Sequence, residues 1–141
     1  MWLMTTAGFF SIVRKPWDDD TLTVRSRCKA DLNRFRKLCP TLGPTKTDRL
    51  ADYRFRAQAP KTDVAIAVMG LTAGIDYDNF KHEIGLRDAR RAELYAKVWS
   101  ALLALQDSHD PRLEPHDWPT LFDSIPRRKR ARKARKRRRL T

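Results

Sequence analysis

The most concentrated chemistry in this chain lies in a basic run near its C-terminus. Arg127, Arg128, Lys129, Arg130, Arg132, Lys133, Arg135, Lys136, Arg137, Arg138 and Arg139 place eleven cations within thirteen residues. Such a run attracts polyanions, because each cation that engages a phosphate releases condensed counterions. Arginine predominates, and its planar fork matches phosphate oxygens two at a time. The density predicts contact with RNA or DNA that is largely independent of base sequence. A solubility tail and a membrane-surface anchor are the competing readings of the same residues.

Two shorter sets are subtler. In TLTVRSR, Arg25 and Arg27 fall with Thr21 and Thr23 on the side opposite Leu22 and Val24, and in DYRFRAQA, Arg54 and Arg56 fall opposite Tyr53, Phe55 and Ala57. If the two segments are neighbouring strands, their outward arginines make a secondary basic patch on an open sheet face. Tyr53 and Phe55 fall on the opposite alternation, toward the core, whereas a base-stacking surface needs its aromatics on the open side. The pattern alone therefore favours solvated strand arginines, partly paired with nearby acids.

Other candidates are weaker. His82, His109 and His116 share no metal-ligand spacing, and no pair of cysteines joins them, so neither a metal nor a cofactor is expected. Asp18, Asp19 and Asp20 read as a solvated hairpin end. Tyr77 and Asp78 are explained as well by packing and capping as by a pocket. No P-loop, GxGxxG, GxSxG or HExxH is present, so no catalytic residue is expected and the chain reads as a non-enzyme.

The composition bounds the remainder. The 141 residues carry a net charge of +13, but with the basic run set aside 19 cations face 17 anions. A near-neutral domain bearing one strongly charged arm is the natural reading. Cys28 and Cys39 sit on one helical pattern, roughly 16 Å apart along its axis, too far for a disulfide. Both read as small buried residues in a reducing, cytoplasmic protein. Residues 1–13 lack the basic flank and cleavage site of a signal peptide. No apolar run is long enough to span a membrane.

The elements that position these residues follow from periodicity. Residues 2–15 read as one central strand in which Gly8 marks a bulge or a close backbone approach. PWDDD is a turn, and residues 21–27 form the second strand of a hairpin. Cys28, Leu32, Phe35 and Cys39 have helical spacing, and Pro40 stops that helix. Residues 41–48 read as a loop, residues 52–59 as a strand, and Thr62 as the N-cap of an apolar helix ending near Gly74. YDNFKHEI fits either a short fourth strand or a helical turn capped by Asp78. From Arg90 to Gln106 the longest helical pattern carries a wide apolar arc centred near Trp99, which predicts a helix buried on two sides. The expected fold class is α+β: a small antiparallel sheet of three or four strands, helices on one face, ferredoxin-like in character. Residues 1–106 form the compact domain. A Pro-rich linker occupies 107–126, and a disordered basic tail occupies 127–141.

The MTTAGFFSIV opening, the TLTVRSR strand, the IDYDNFK turn and the YAKVW helix together resemble a family of small bacterial proteins. Its pattern is a TTxGFFS-type strand, an IDYxNFK turn and a YxxVW helix. The resemblance spans residues 1–106 and implies one compact domain. It implies no activity and transfers no functional residue. The function expected from the sequence is nucleic-acid binding through the C-terminal arm. The alternative is a protein-interaction or regulatory module of a bacterial or mobile-element system whose basic tail is incidental. An enzyme with a pocket between sheet and helices is a third possibility.

Overall fold

The structure, a computed structural model, describes residues 1–107. The basic run and nearly all of the expected linker lie outside the described residues. Met1–Val98 is one compact unit, and a second unit begins at Trp99.

The first segment is a hairpin. β1 (Trp2–Thr5) pairs antiparallel with β2 (Gly8–Val13), because Thr5 ties the turn between them. The Thr5 hydroxyl accepts from the backbone N–H of Ala7 at 3.2 Å and of Gly8 at 3.1 Å. A single strand over residues 2–15 was the wrong reading. Both halves are rich in β-formers, and the pattern gives no sign of the two-residue loop. β3 (Thr21–Ser26) follows PWDDD, where the Asp18 carboxylate accepts from the N–H groups of Asp20 and Thr21, each at 3.0 Å. That local Asx geometry accounts for the acid-rich turn without a bound cation.

α1 (Lys29–Leu38) is followed by β4 (Lys46–Thr47), β5 (Phe55–Pro60) and α2 (Lys61–Ala73). The sheet has five strands in the order β1-β2-β3-β5-β4, every neighbour antiparallel. The α+β class and the antiparallel sheet agree with the sequence reading, but the strand count and the ferredoxin-like order do not. The extra strands are β1, split off by the Thr5 turn, and β4, two residues inside the expected loop. With three strands preceding the first helix, the chain cannot follow the βαββαβ order.

α1 and α2 pack on one face of the sheet. Phe10, Ile12, Val24, Ala57 and Ala59 meet Leu32 and Phe35 of α1 and Val64 and Ala67 of α2. The Phe10 and Phe35 rings lie 5.1 Å apart. Fully burying a side chain of this size contributes about 1.5–3 kcal/mol, so this layer is the main source of stability. α2 starts directly after Pro60 without a side-chain cap, and Thr62 does not serve as one. The α2 helix ends where expected, with Gly74 as its C-cap.

Residues 80–87 settle as α3 (Phe80–Arg87). Its cap is Asn79 rather than Asp78: the Asn79 side chain accepts from the His82 N–H at 3.0 Å. α4 (Ala89–Leu102) and the short α5 (Ala104–Asp107) complete the described chain. α4 is not the two-sided core helix its arc predicted, since none of its residues is buried and Trp99 is 47% exposed. The physical reason is that α1 and α2 already occupy the helical face of the sheet. α4 is anchored instead through Arg91, which reaches a carboxylate on α1. Cys39 is buried as expected, but Cys28 is exposed at the start of α1.

Candidate nucleic-acid interface

The face of the sheet opposite the helices is set by the period-2 alternation of its strands. On β2 the core takes Phe10 and Ile12, which leaves Phe9, Ser11 and Val13 on the open side. Register then fixes the neighbours. Trp2 of β1 stands opposite Ser11, Ser11 opposite Arg25 of β3, Arg25 opposite Arg56 of β5, and Arg56 opposite Lys46 of β4. One transverse row therefore crosses all five strands as Trp2, Ser11, Arg25, Arg56, Lys46.

Three adjacent cations in such a row are unfavourable for folding, because like charges directly opposite each other on a sheet repel. Little in the described residues relieves the repulsion. Arg25 donates from Nη2 to the Ser11 hydroxyl at 2.7 Å, a neutral partner. Arg56 donates to the Tyr53 carbonyl at 3.0 Å and approaches the Asp48 carboxylate at 3.8 Å. Among the described residues, Thr23 Oγ1, Arg25 Nε, Tyr53 OH and Arg56 Nε are buried and find no hydrogen-bond partner. Buried polar groups are nearly always satisfied, so such atoms clustered among neighbouring residues need an explanation.

Aromatic side chains flank this row. Trp2, 69% exposed, sits edge-on to Phe9 with ring centroids 5.9 Å apart, and Phe9 lies 6.2 Å from Tyr53. The guanidinium carbons of Arg25 and Arg27 lie over the Tyr53 ring at 4.7 and 5.2 Å. Tyr53 is therefore buried on the open face, under arginines, and not in the core as its alternation suggested. It falls in the bend before β5, where strand periodicity does not govern direction. Phe55 does follow its expectation and packs half-buried against the core.

The four arginines singled out in the sequence thus divide. Arg25 and Arg56 are directly paired in register, and Arg27 joins them over Tyr53. Arg54 is exposed and precedes β5, outside the strand that carries Arg56. Sequence reasoning missed Lys46, because a two-residue strand carries no periodicity. It also missed Trp2 and Phe9, although the split of the first segment into a hairpin would have aligned them.

The other candidates resolve simply. The Glu83 carboxylate takes Arg87, four residues on along α3. Among the described residues no group of three His, Cys, Asp or Glu is placed to hold a metal ion. No helix among them is long and apolar enough to cross a membrane. Compared with protein-family models, curated proteins and solved structures, the chain matches none.

Proposed function

We propose that this protein binds nucleic acid and does so without catalysis, through the open sheet face together with the Arg/Lys-rich C-terminal arm. The observation that carries the reading is the in-register row Arg25, Arg56 and Lys46. Three like charges held side by side cost stability unless an anion neutralises them, and a phosphodiester backbone supplies anions in series. Arginine forks suit phosphate oxygens, and among the described residues the ion pair that reaches the row, Asp48 with Arg56, is a long 3.8 Å. The arm from Arg127 to Arg139 adds sequence-independent attraction from the same chemistry.

The deciding experiment replaces Arg25, Lys46 and Arg56 together by Ser in the full chain. Affinity for labelled nucleic acid is then measured by anisotropy. The expected result is weaker binding with an unchanged or improved melting temperature, since the substitutions relieve repulsion. Unchanged affinity would remove the sheet face from the function. Unchanged affinity on deleting residues 127–141 as well would favour the interaction-module alternative.

A further inference from the structure

We infer that the ligand of this face is a single strand, its phosphates following the cation row while its bases stack beside Trp2 and Phe9. This rests on the nucleic-acid reading above and specifies its substrate class. Two features of the face point to unpaired bases rather than to a duplex.

The first is the position of Trp2. It lies in register with the cation row, at the β1 edge, and is 69% exposed. An indole on an edge strand that stays in water while braced edge-on against Phe9 is held ready for a flat partner. Bases stack on aromatic faces whatever their identity, and a base inside a duplex is already stacked on its neighbours. The second is the arrangement of the guanidinium groups. Arg25 and Arg27 lie over the Tyr53 ring, which orients planar cations that can themselves receive a splayed-out base.

Spacing supports the same ligand. Trp2 ends the row itself, two strand spacings from Arg25, and Phe9 stands two residues along β2 from the row, so both aromatics lie within about 7–10 Å of the nearest cation positions. A nucleotide bound at the β1 end of the row can therefore bring its base to these rings while its phosphate meets the cations. Across the sheet, adjacent strands repeat at about 4.8 Å, so Arg25, Arg56 and Lys46 present a short track of charge and not a point. A duplex can neutralise the same cations but leaves the Trp2 ring without a partner.

The test compares a labelled oligothymidylate of about 15 nucleotides, within the range one small module covers, with a duplex of the same length. The full chain is used, and each variant is read as its ratio to the unsubstituted chain on the same ligand, so the arm's stronger attraction to the more densely charged duplex cancels. Trp2→Ala is expected to weaken single-strand binding roughly fivefold or more while leaving duplex binding within about twofold, because stacking acts on the unpaired base alone. Trp2→Phe should restore most of the loss, which a merely structural role for residue 2 does not predict. Equal losses on both ligands, or no loss on the single strand, would each overturn the inference. If Trp2→Ala is silent but the triple Ser variant binds less of both ligands, nucleic-acid binding stands and single-strand recognition falls. If the triple variant is silent on both ligands, the function assigned to this face fails with it.

Discussion

Arg91 grips Asp31 fork to fork: Nη1 donates to Oδ2 at 2.9 Å and Nη2 to Oδ1 at 2.8 Å, across sixty residues of chain. Asp31 is 2% exposed and also accepts the Phe9 N–H at 3.0 Å. Arg34 adds a further cation. Burial works against the charge on Arg91, but the hydrogen bonds it donates to Asp31 and Tyr95 and the Asp31 charge outweigh it, and its pKa stands above the ordinary arginine range. One carboxylate on α1 thereby joins the open-face strand β2 to α4, an element that contributes no buried side chain of its own.

Arg91→Ala should destabilise the protein by about 3 kcal/mol. Removing one partner of a buried pair typically costs 3–5 kcal/mol, and Arg34 remains beside Asp31 to moderate the loss. Urea melts followed by circular dichroism measure it. A loss below about 1 kcal/mol, the range of exposed pairs, would mean that Arg91 behaves as a surface ion pair.

Gly8→Ala should also be costly, for a reason specific to this contact. Gly8 has φ +153, and a Cβ built there would stand 2.5 Å from Asp31 Cγ. The substitution adds backbone strain of about 1–3 kcal/mol and pushes Asp31 away from Arg91 and the Phe9 N–H. Gly8→Ala and Arg91→Ala act on one carboxylate, so their effects should fall short of additive in a double-mutant cycle. Full additivity would show that the glycine and the ion pair are independent.

The close approach at Gly8 was legible in the sequence, since glycine within a strand pattern signals either a bulge or a crowding neighbour. The neighbour was not: Asp31 reads as an ordinary first-turn acid of α1, and nothing in its spacing announces Arg91. The same division holds across the fold. Local alternation located β3 and β5 and the outward Arg25 and Arg56, because a half-buried strand repeats every two residues. Trp99 shows where periodicity stops. An apolar arc states which face of a helix is apolar, and not whether the sheet has room for it once α1 and α2 are in place. Tyr53 shows the complementary limit, as a residue in a bend takes its direction from what it packs against, here Phe9, Arg25 and Arg27.

Acid should weaken the fold partly through two hydrogen-bonded carboxylates, the half-buried Asp18 and the exposed Asp88. The Thr21 hydroxyl and N–H hold the Asp18 pKa below the usual carboxylate value, and the Arg91 N–H does the same for Asp88. A carboxylate with a depressed folded pKa contributes stability that is present above its unfolded value and lost as pH falls through the folded one. The expected window opens below about pH 4. Asp18→Asn with Asp88→Asn should flatten the decline of melting temperature in that window and leave the neutral-pH slope unchanged. An acid limb as steep as in the unsubstituted protein would show that neither carboxylate contributes.

Salt dependence separates the two cationic surfaces. For a single strand, log–log affinity falls by about 0.7 per phosphate neutralised, so the row of Arg25, Arg56 and Lys46 accounts for a slope of roughly −2 at most. The eleven cations of residues 127–139 set a far larger ceiling, roughly −8 by the same factor. Truncation after Pro126 leaves intact every residue of the core between the sheet and α1 and α2, so its melting temperature should hold. It should remove most of the salt slope. The remaining binding should be weak, shallow in salt, and sensitive to Arg25→Ser with Arg56→Ser. Stacking releases no counterions, so Trp2→Ala should lower affinity at every salt concentration without changing the slope. A truncated protein that keeps the full slope would place the phosphate contacts elsewhere on the body, while one that loses all measurable binding would leave the open sheet face without a role of its own.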